Sequence, residues 1–317
     1  MIQRPSRLQR PNAQIALGGL TASAAFISVL IIVLMLVFLA IYAYPAIRFN
    51  GLGFFSGITW NIGNQYGSGS VTRNGFTAEP GAIFGAVVFI FGSVATSALA
   101  MLIAVPFSIM VAMALVYRVH PRIRPIANAL VELMAGVPSV VYGLWGMVVL
   151  VPLIARLPGA GSGNGLLAAT VILSLMVTPI MVATVRDVVL AQSATIFEAS
   201  MALGGTSWQA VTRAVLPSVR GGVVASVLLA FGRALGETMA VLMVCGSAIN
   251  SLPQNIYQPV NTIAAVIVSQ LESALTDSSG MAQRSLAELA VVLFLITLAV
   301  NIIARLALRG ADRLEGK

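Results

Sequence analysis

Residues 198–217 read EASMALGGTSWQAVTRAVLP and form a polar island between two long apolar stretches of the chain. Apolar residues recur at helical spacing on both sides of a glycine pair, which predicts two short helices joined by a turn. Thr206 can cap the backbone amide of Gln209 while the Gln209 side chain reaches back, and Pro217 is expected to end the second helix. The island is therefore predicted to be a helix–turn–helix on one face of a membrane.

The composition is that of an integral membrane protein. Of 317 residues, 58% are hydrophobic and 9% are charged, whereas soluble domains carry about 25% charged residues. A helix needs ~20 residues to cross a bilayer, and only helices fit single spans of that length. Six such helices are predicted, at residues 23–44, 83–117, 126–154, 165–185, 219–247 and 286–308. The second is long, and Pro106 is its expected break point.

The distribution of basic residues predicts the orientation. With a cytoplasmic N-terminus, 12 arginines and Lys317 lie on the cytoplasmic side, and only Arg48, Arg73, Arg156 and Arg284 lie on the other. Both termini and the polar island are therefore expected in the cytoplasm. The net charge of +8 then reflects topology, and no nucleic-acid partner is expected. The first span is too long for a cleaved signal peptide and lacks a small-residue cleavage site.

The spans divide the chain into a cytoplasmic basic tail (1–22), a first transmembrane helix (23–44), an external segment (45–82), a core transmembrane domain (83–309) that contains the loop 187–217, and a cytoplasmic tail (310–317). The aromatic-rich segment 45–82 fits two roles equally, contact with an external partner or a cap packed on the rim of the bundle. Residues 248–285 are expected to form a short surface helix, within 260–275, between two turns.

The residue inventory excludes several chemistries. Lys317 is the only lysine and the last residue, so the chain lacks the lysine that a Walker-type phosphate loop needs after its glycines. Energy from ATP must then come from a partner. Cys245 and His120 are too few for a disulfide or a transition-metal site. With no catalytic constellation in view, neither a catalytic residue nor a metal ligand is assigned.

Arg233 and Glu237 are charged residues inside the fifth span. An arginine at that depth costs at least ~2.5–3.5 kcal/mol on insertion scales, so it needs a partner. A spacing of four is expected to place the two on one helix face, with Gly232 and Gly236 allowing close approach of a neighbouring helix. The pair is either a structural ion pair or part of an anion pathway, because an arginine fork suits phosphate or sulfate. Glu237 then either holds Arg233 while the site is empty or accepts the proton of an oxyanion such as hydrogen phosphate.

Three other spans carry weaker signals. Pro138 is expected to break the third span and to free carbonyls for a cavity, where Ser139 and Tyr142 offer hydroxyls; a packing kink is an equal alternative. Thr178-Pro179 in the fourth span is more simply a kink. Glu132 and Glu288 are two further carboxylates expected inside spans.

The spacing of Glu198-Ala199-Ser200, Gly204 and Leu216-Pro217 resembles the EAA loop of ABC importer permeases, with Ser200 and Ala214 as small departures. The stretches GVPSVVYGLWG around Pro138 and GRALGETMAV around Arg233 resemble PstC-type permeases of the phosphate-specific transport system. The match covers roughly residues 90–309. After the Gly-Glu-Thr core this chain continues Met239-Ala240-Val241, whereas permeases of the PstA type typically continue Ala-Pro-Leu.

This resemblance implies an all-α type I (MetI-like) permease bundle of six transmembrane helices with a cytoplasmic coupling-helix loop, in the bacterial inner membrane. It implies that Glu198, Ala199, Ser200, Gly204, Leu216 and Pro217 dock an ATPase. Arg233, Glu237, Thr238, Ser139 and Tyr142 are expected to line the phosphate pathway.

The partners implied are a PstA-like permease, a PstB-like ATPase dimer that binds ATP and Mg²⁺, a PstS-like external phosphate-binding protein and membrane lipid. No cofactor is expected on this chain. The alternatives are a permease for molybdate or sulfate and a stand-alone ion-coupled anion transporter.

Overall fold

A computed structural model describes residues 11–64, 67–191 and 195–315, with side chains from residue 18 to residue 303 and at Leu306. The first ten residues of the predicted basic tail, Tyr66 and Lys317 lie outside the described residues. In chain order the elements are α1 (Pro11–Asn50), α2 (Gly53–Ser56), β1 (Trp60–Asn61), β2 (Val71–Arg73), β3 (Phe76–Ala78), β4 (Ile83–Phe84), α3 (Val87–Tyr117), α4 (Arg124–Gly136), α5 (Ser139–Trp145), a π-helical turn (Gly146–Leu150), α6 (Val151–Ala155), α7 (Leu166–Ala191), α8 (Thr195–Ala202), α9 (Ser207–Gln209), a second π-helical turn (Ala210–Val215), α10 (Leu216–Ser218), α11 (Arg220–Leu235), α12 (Met239–Val244), α13 (Ile263–Leu275) and α14 (Met281–Glu315).

The described part of the chain contains four single helices long and apolar enough to cross a membrane, and up to six spans if each of two bent helix pairs counts as one. The four are α1, α3, α7 and α14. The bent pairs are α4 with α5–α6, at 90°, and the helix Ser207–Ser218 with α11, at 73°. The predicted helical membrane bundle is confirmed, and the predicted number of six is the upper end of this range.

Proline affects the spans unequally. The predicted break in the third span is confirmed, since α4 ends at Gly136 and α5 begins after Pro138. The predicted break at Pro106 is wrong, because α3 continues through it, and α7 likewise continues through Pro179. A buried helix tolerates the missing amide when neighbours satisfy the freed carbonyls. The Ser108 hydroxyl of α3 donates to the carbonyl of Thr178, the residue before Pro179, at 3.3 Å and so ties α3 to α7 at this point.

The main core is built around α3 and α7. Small residues lie along their contact, among them Ala100 and Ala104 on α3 and Ala168 and Ala169 on α7, all 0% exposed. Small side chains let helix backbones approach closely, which is the usual basis of helix association in membranes. Parts of α11 and α12 complete this core through Val223, Ala230 and Val241.

A second core lies at the end of the bundle where α1 stops and α3 begins. Trp60 packs edge-on against Phe84 at 5.0 Å and against Phe89 at 5.5 Å between ring centroids. Two of these residues are also paired through the backbone, because β1 and β4 are antiparallel and Trp60 lies opposite Phe84. Phe49 and Phe54 are also buried there, beside residues of α13 and α14. The packing of these aromatic side chains agrees with the rim-cap alternative for residues 45–82.

The structure confirms the predicted helix in the segment 248–285, but the helix does not lie wholly on the surface. α13 exists, yet its first residues Ile263, Ala265 and Val266 are fully buried. The Ser93 hydroxyl of α3 accepts a hydrogen bond from the backbone amide of Ile263 at 2.8 Å. The helix thus begins inside the bundle and emerges along its length, because the apolar residues cluster in its N-terminal half.

Gly92 on α3 is the point of closest contact between α3 and the segment that leads into α13. A Cβ atom built on Gly92 lies 1.9 Å from the carbonyl oxygen of Asn261, a backbone atom that cannot rotate away. We expect Gly92→Ala to lower stability by at least about 1–3 kcal/mol, since overpacking forces backbone shifts. Thermal unfolding in detergent measures this. Gly221→Ala is the matched control, because a Cβ there meets nothing within 4 Å; equal melting temperatures for the two variants would contradict the packing argument.

Candidate functional site

The polar island folds as the predicted helix–turn–helix. α8 ends at Ala202, Gly204 adopts a left-handed φ of +85°, and α9 begins at Ser207. The capping box is present: the amide of Gln209 donates to the Thr206 hydroxyl at 3.3 Å, and the amide of Thr206 donates to Gln209 Oε1 at 2.9 Å. The second helix ends at Ser218, one residue after Pro217. We call residues 195–218 the coupling loop.

One side of the coupling loop is packed and the other is open. The Phe197 ring stacks on Tyr117, the last residue of α3, at 4.5 Å between centroids. On the open side Glu198 and Ala199 are exposed, while Leu203 is 90% and Trp208 66% exposed. The loop therefore presents a carboxylate and large apolar groups outward while its base is held against the bundle.

Arg233 and Glu237 are not paired, and the expectation that they share one helix face is wrong. α11 ends at Leu235 with Gly236 as its C-cap residue, so Glu237 lies in the break before α12. The buried Glu237 carboxylate accepts the amide of Ala240 at 3.2 Å and thereby caps α12. Its neighbour Thr238 donates its hydroxyl to the carbonyl of Gly236 at 3.2 Å. Because α11 ends at Leu235, it does not extend to Glu237, and the spacing of four residues does not place Glu237 above Arg233 on one helix face.

Arg233 instead opens into a cavity of about 490 Å³. Within the described residues, its guanidinium makes no hydrogen bond or ion pair. Gly232 leaves space rather than a close helix contact, since a Cβ there meets nothing within 4 Å. The cavity lies between α7, α11 and α14, and its lining residues are Ile180, Leu228, Leu229, Gly232, Arg233 and Asn301.

Ser139 and Tyr142 are not among the residues that line this cavity. The Tyr142 hydroxyl donates to the carbonyl of Met134 at 2.9 Å, across the break between α4 and α5. The phenol is thus a second donor to this carbonyl at the end of α4, which also accepts the backbone amide of Val137 at 3.3 Å. α5 packs on α12, where a Cβ on Gly143 would lie 2.9 Å from Ala240 Cα. The predicted site residues therefore divide into one group near α5 and α12 and another at Arg233.

Two further carboxylates have structural partners. Glu132 is exposed, not buried as expected. Arg186 Nη2 donates to its carboxylate at 3.1 Å and to that of Asp187 at 2.9 Å, so that Arg186 forms an ion pair with each. The buried Arg186 was counted from the sequence as a cytoplasmic arginine, and only the adjacent Asp187 signals its pairing. Glu288 is 3% exposed and accepts a hydrogen bond from Asn50 Nδ2 at 2.8 Å, which ties α14 to the end of α1.

Asn301 on α14 is the cavity residue that sequence reasoning missed. It lies far from Arg233 in the chain, and a single asparagine in an apolar helix carries no recognisable spacing. Across the described residues, no three histidine, cysteine, aspartate or glutamate side chains are grouped so as to hold a metal ion.

An apolar helical bundle with a structured loop at one end, and with an arginine in an interhelical cavity that no described residue pairs, is organised as a membrane permease. A family model described as binding-protein-dependent transport system inner membrane component matches residues 104–314. The phosphate transport system permease protein PstC 1 of Mycobacterium tuberculosis is 42% identical, over 99% of this chain and 97% of its own length. PstC of Pasteurella multocida is 36% identical, over 74% of this chain and 78% of its own.

The chain therefore belongs to the inner-membrane components of binding-protein-dependent transport systems, and among these to the PstC permeases. The MetNI methionine ABC transporter in an inward-facing conformation shares the fold, with a TM-score of 0.51 and 20% identity over 70% of this chain and 96% of the other. The predicted family and MetI-like fold class are confirmed.

Proposed function

We propose that this chain is the permease subunit of an ATP-driven importer that carries inorganic phosphate across the bacterial inner membrane. The observation that carries the proposal is the 42% identity to a phosphate transport permease over nearly the whole of both chains. Arg233, which no described residue pairs, lines a cavity and agrees with an anionic cargo. The chain is a transport subunit, and ATP hydrolysis belongs to a separate ATPase partner.

The partners follow from what this chain lacks and exposes. A homologous PstA-like permease completes the pathway, a PstB-like ATPase dimer binds the nucleotide and Mg²⁺, and a PstS-like protein delivers phosphate from outside. The exposed surface around Glu198, Leu203 and Trp208 is the proposed ATPase contact, with Ala199, Ser200, Gly204, Leu216 and Pro217 shaping the loop beneath it. The arginine distribution supports a cytoplasmic coupling loop and cytoplasmic termini.

The geometry offers two mechanical routes from the coupling loop to the pathway. The stack of Phe197 on Tyr117 joins the loop to the end of α3. The helix Ser207–Ser218 meets α11 at a 73° bend, and α11 carries Arg233 near its other end. Closure of the ATPase dimer would push the loop, and both helices would move with it because each is attached at its base.

Transport by reconstituted protein tests the proposal. We expect proteoliposomes that contain this chain, the partner permease, the ATPase and the binding protein to accumulate labelled phosphate only with ATP. Excess sulfate or molybdate should leave that uptake unchanged. Uptake without the ATPase would establish the stand-alone transporter instead, and ATP-driven uptake of sulfate or molybdate in place of phosphate would establish the other oxyanion permease.

A further inference from the structure

Among the described residues, one other polar side chain lines the cavity at Arg233, and unlike arginine it can accept a hydrogen bond. The guanidinium offers only hydrogen-bond donors. The other polar lining residue is Asn301, and the four remaining ones are aliphatic residues or glycine. The amide of asparagine has a donor end and an acceptor end, so its orientation decides what it contributes to the cavity.

The backbone of α14 determines that orientation. Asn301 Nδ2 donates to the carbonyl oxygen of Thr297, one turn earlier, at 2.8 Å. Only the nitrogen of the amide can make this bond, since a carbonyl oxygen accepts and cannot donate. The amide oxygen Oδ1 is left over, and within the described residues no donor is bonded to it. Among the described residues, the cavity lining therefore contains a donor fork, on Arg233, and one amide oxygen without a donor, on Asn301.

We propose that Arg233 and Asn301 form an oxyanion subsite in which the guanidinium binds the unprotonated oxygens and Asn301 Oδ1 accepts a hydrogen bond from the hydroxyl group of the anion. This inference rests on the proposed function and deepens it, because it names the ligand as a protonated oxyanion of the hydrogen phosphate type. Glu237 does not fill this role, since its carboxylate is buried and caps α12.

The acceptor gives the subsite its selectivity. Hydrogen phosphate has a hydroxyl that can donate a hydrogen bond to Oδ1, whereas sulfate at neutral pH has only acceptor oxygens. With sulfate bound, Oδ1 faces another lone pair and is deprived of water, and a site built around a ligand hydroxyl discriminates strongly against analogues that lack it. The arginine attracts both dianions, so the discrimination depends on Asn301.

Protection of a cysteine in the cavity tests the subsite directly. Leu229 lines the cavity and is 62% exposed, so Leu229→Cys introduces a reporter for N-ethylmaleimide in the purified complex with its permease and ATPase partners, without the binding protein. The native Cys245 is buried, and the complex without the reporter measures its background. Labelling rates are compared in phosphate and in sulfate at equal ionic strength and neutral pH.

We expect phosphate to half-protect the reporter at a concentration at least about tenfold below that of sulfate, the effect of a single hydrogen bond to a charged ligand. Asn301→Leu, which keeps the volume and removes the acceptor, should make the two anions equal. Asn301→Gln, which keeps the amide, should retain part of the preference. Equal protection by both anions with Asn301 in place overturns the subsite even if the leucine variant fails to assemble, and so does a preference that survives in Asn301→Leu.

The same preparations separate this inference from the proposed function. ATP-driven phosphate uptake together with equal protection by phosphate and sulfate would remove the subsite and leave the importer. Selective protection by phosphate without ATP-driven uptake would remove the importer and leave the subsite.

Discussion

Replacing Arg233 by alanine is expected to reduce phosphate uptake by about a hundredfold or more while the complex still assembles. Among the described residues, the guanidinium is the one charged group that lines the cavity, and each hydrogen bond to a charged group contributes about 1.5–3 kcal/mol. Loss of two such bonds gives the expected factor. Uptake of labelled phosphate, with co-purification of the partner subunits as the measure of assembly, determines both quantities.

Arg233→Lys is the matched variant. It keeps the positive charge and loses the planar fork, so its uptake should lie between those of the native protein and Arg233→Ala. If Arg233→Ala fails to co-purify with its partners, the residue holds the complex together and the pathway role is lost. Unchanged phosphate uptake in Arg233→Gln would refute the pathway role of Arg233.

Replacing Glu198 by alanine is expected to uncouple ATP hydrolysis from phosphate transport. The carboxylate is exposed on the first turn of α8, and no described residue forms a hydrogen bond or ion pair with it. Its removal therefore leaves the fold of this chain intact and removes a charged contact to the ATPase. We expect phosphate transported per ATP hydrolysed to fall about tenfold or more, as for one charge-assisted hydrogen bond.

Glu272→Ala is the control for this experiment. Glu272 is likewise an exposed helical glutamate, on α13 and away from the coupling loop. Its replacement should leave the ratio of transport to hydrolysis unchanged. The coupling role of Glu198 is refuted if both variants give the same ratio as the native complex.

The relation of Arg233 to Glu237 shows where sequence reasoning fails. Periodicity places residues four apart on one face only while the helix continues. Gly236 lies between them, and glycine is a weak helix former that frequently follows the last helical residue. The same glycine had been interpreted as a helix-packing residue. Whether a glycine packs a helix or ends it depends on the neighbouring elements, which a local pattern does not contain.

The sequence by itself determined the membrane class, the helical character of the bundle, the capping box of the coupling loop and the permease family. These depend on composition, on apolar periodicity and on bonds between residues a few positions apart, which are all local. The tertiary structure alone decided that α13 begins inside the bundle, that Arg186 pairs with Glu132, and that Asn301 shares a cavity with Arg233. Each of these joins residues distant in the chain. Such contacts follow from how the helices pack, and the sequence of one helix face does not specify which other face it will contact.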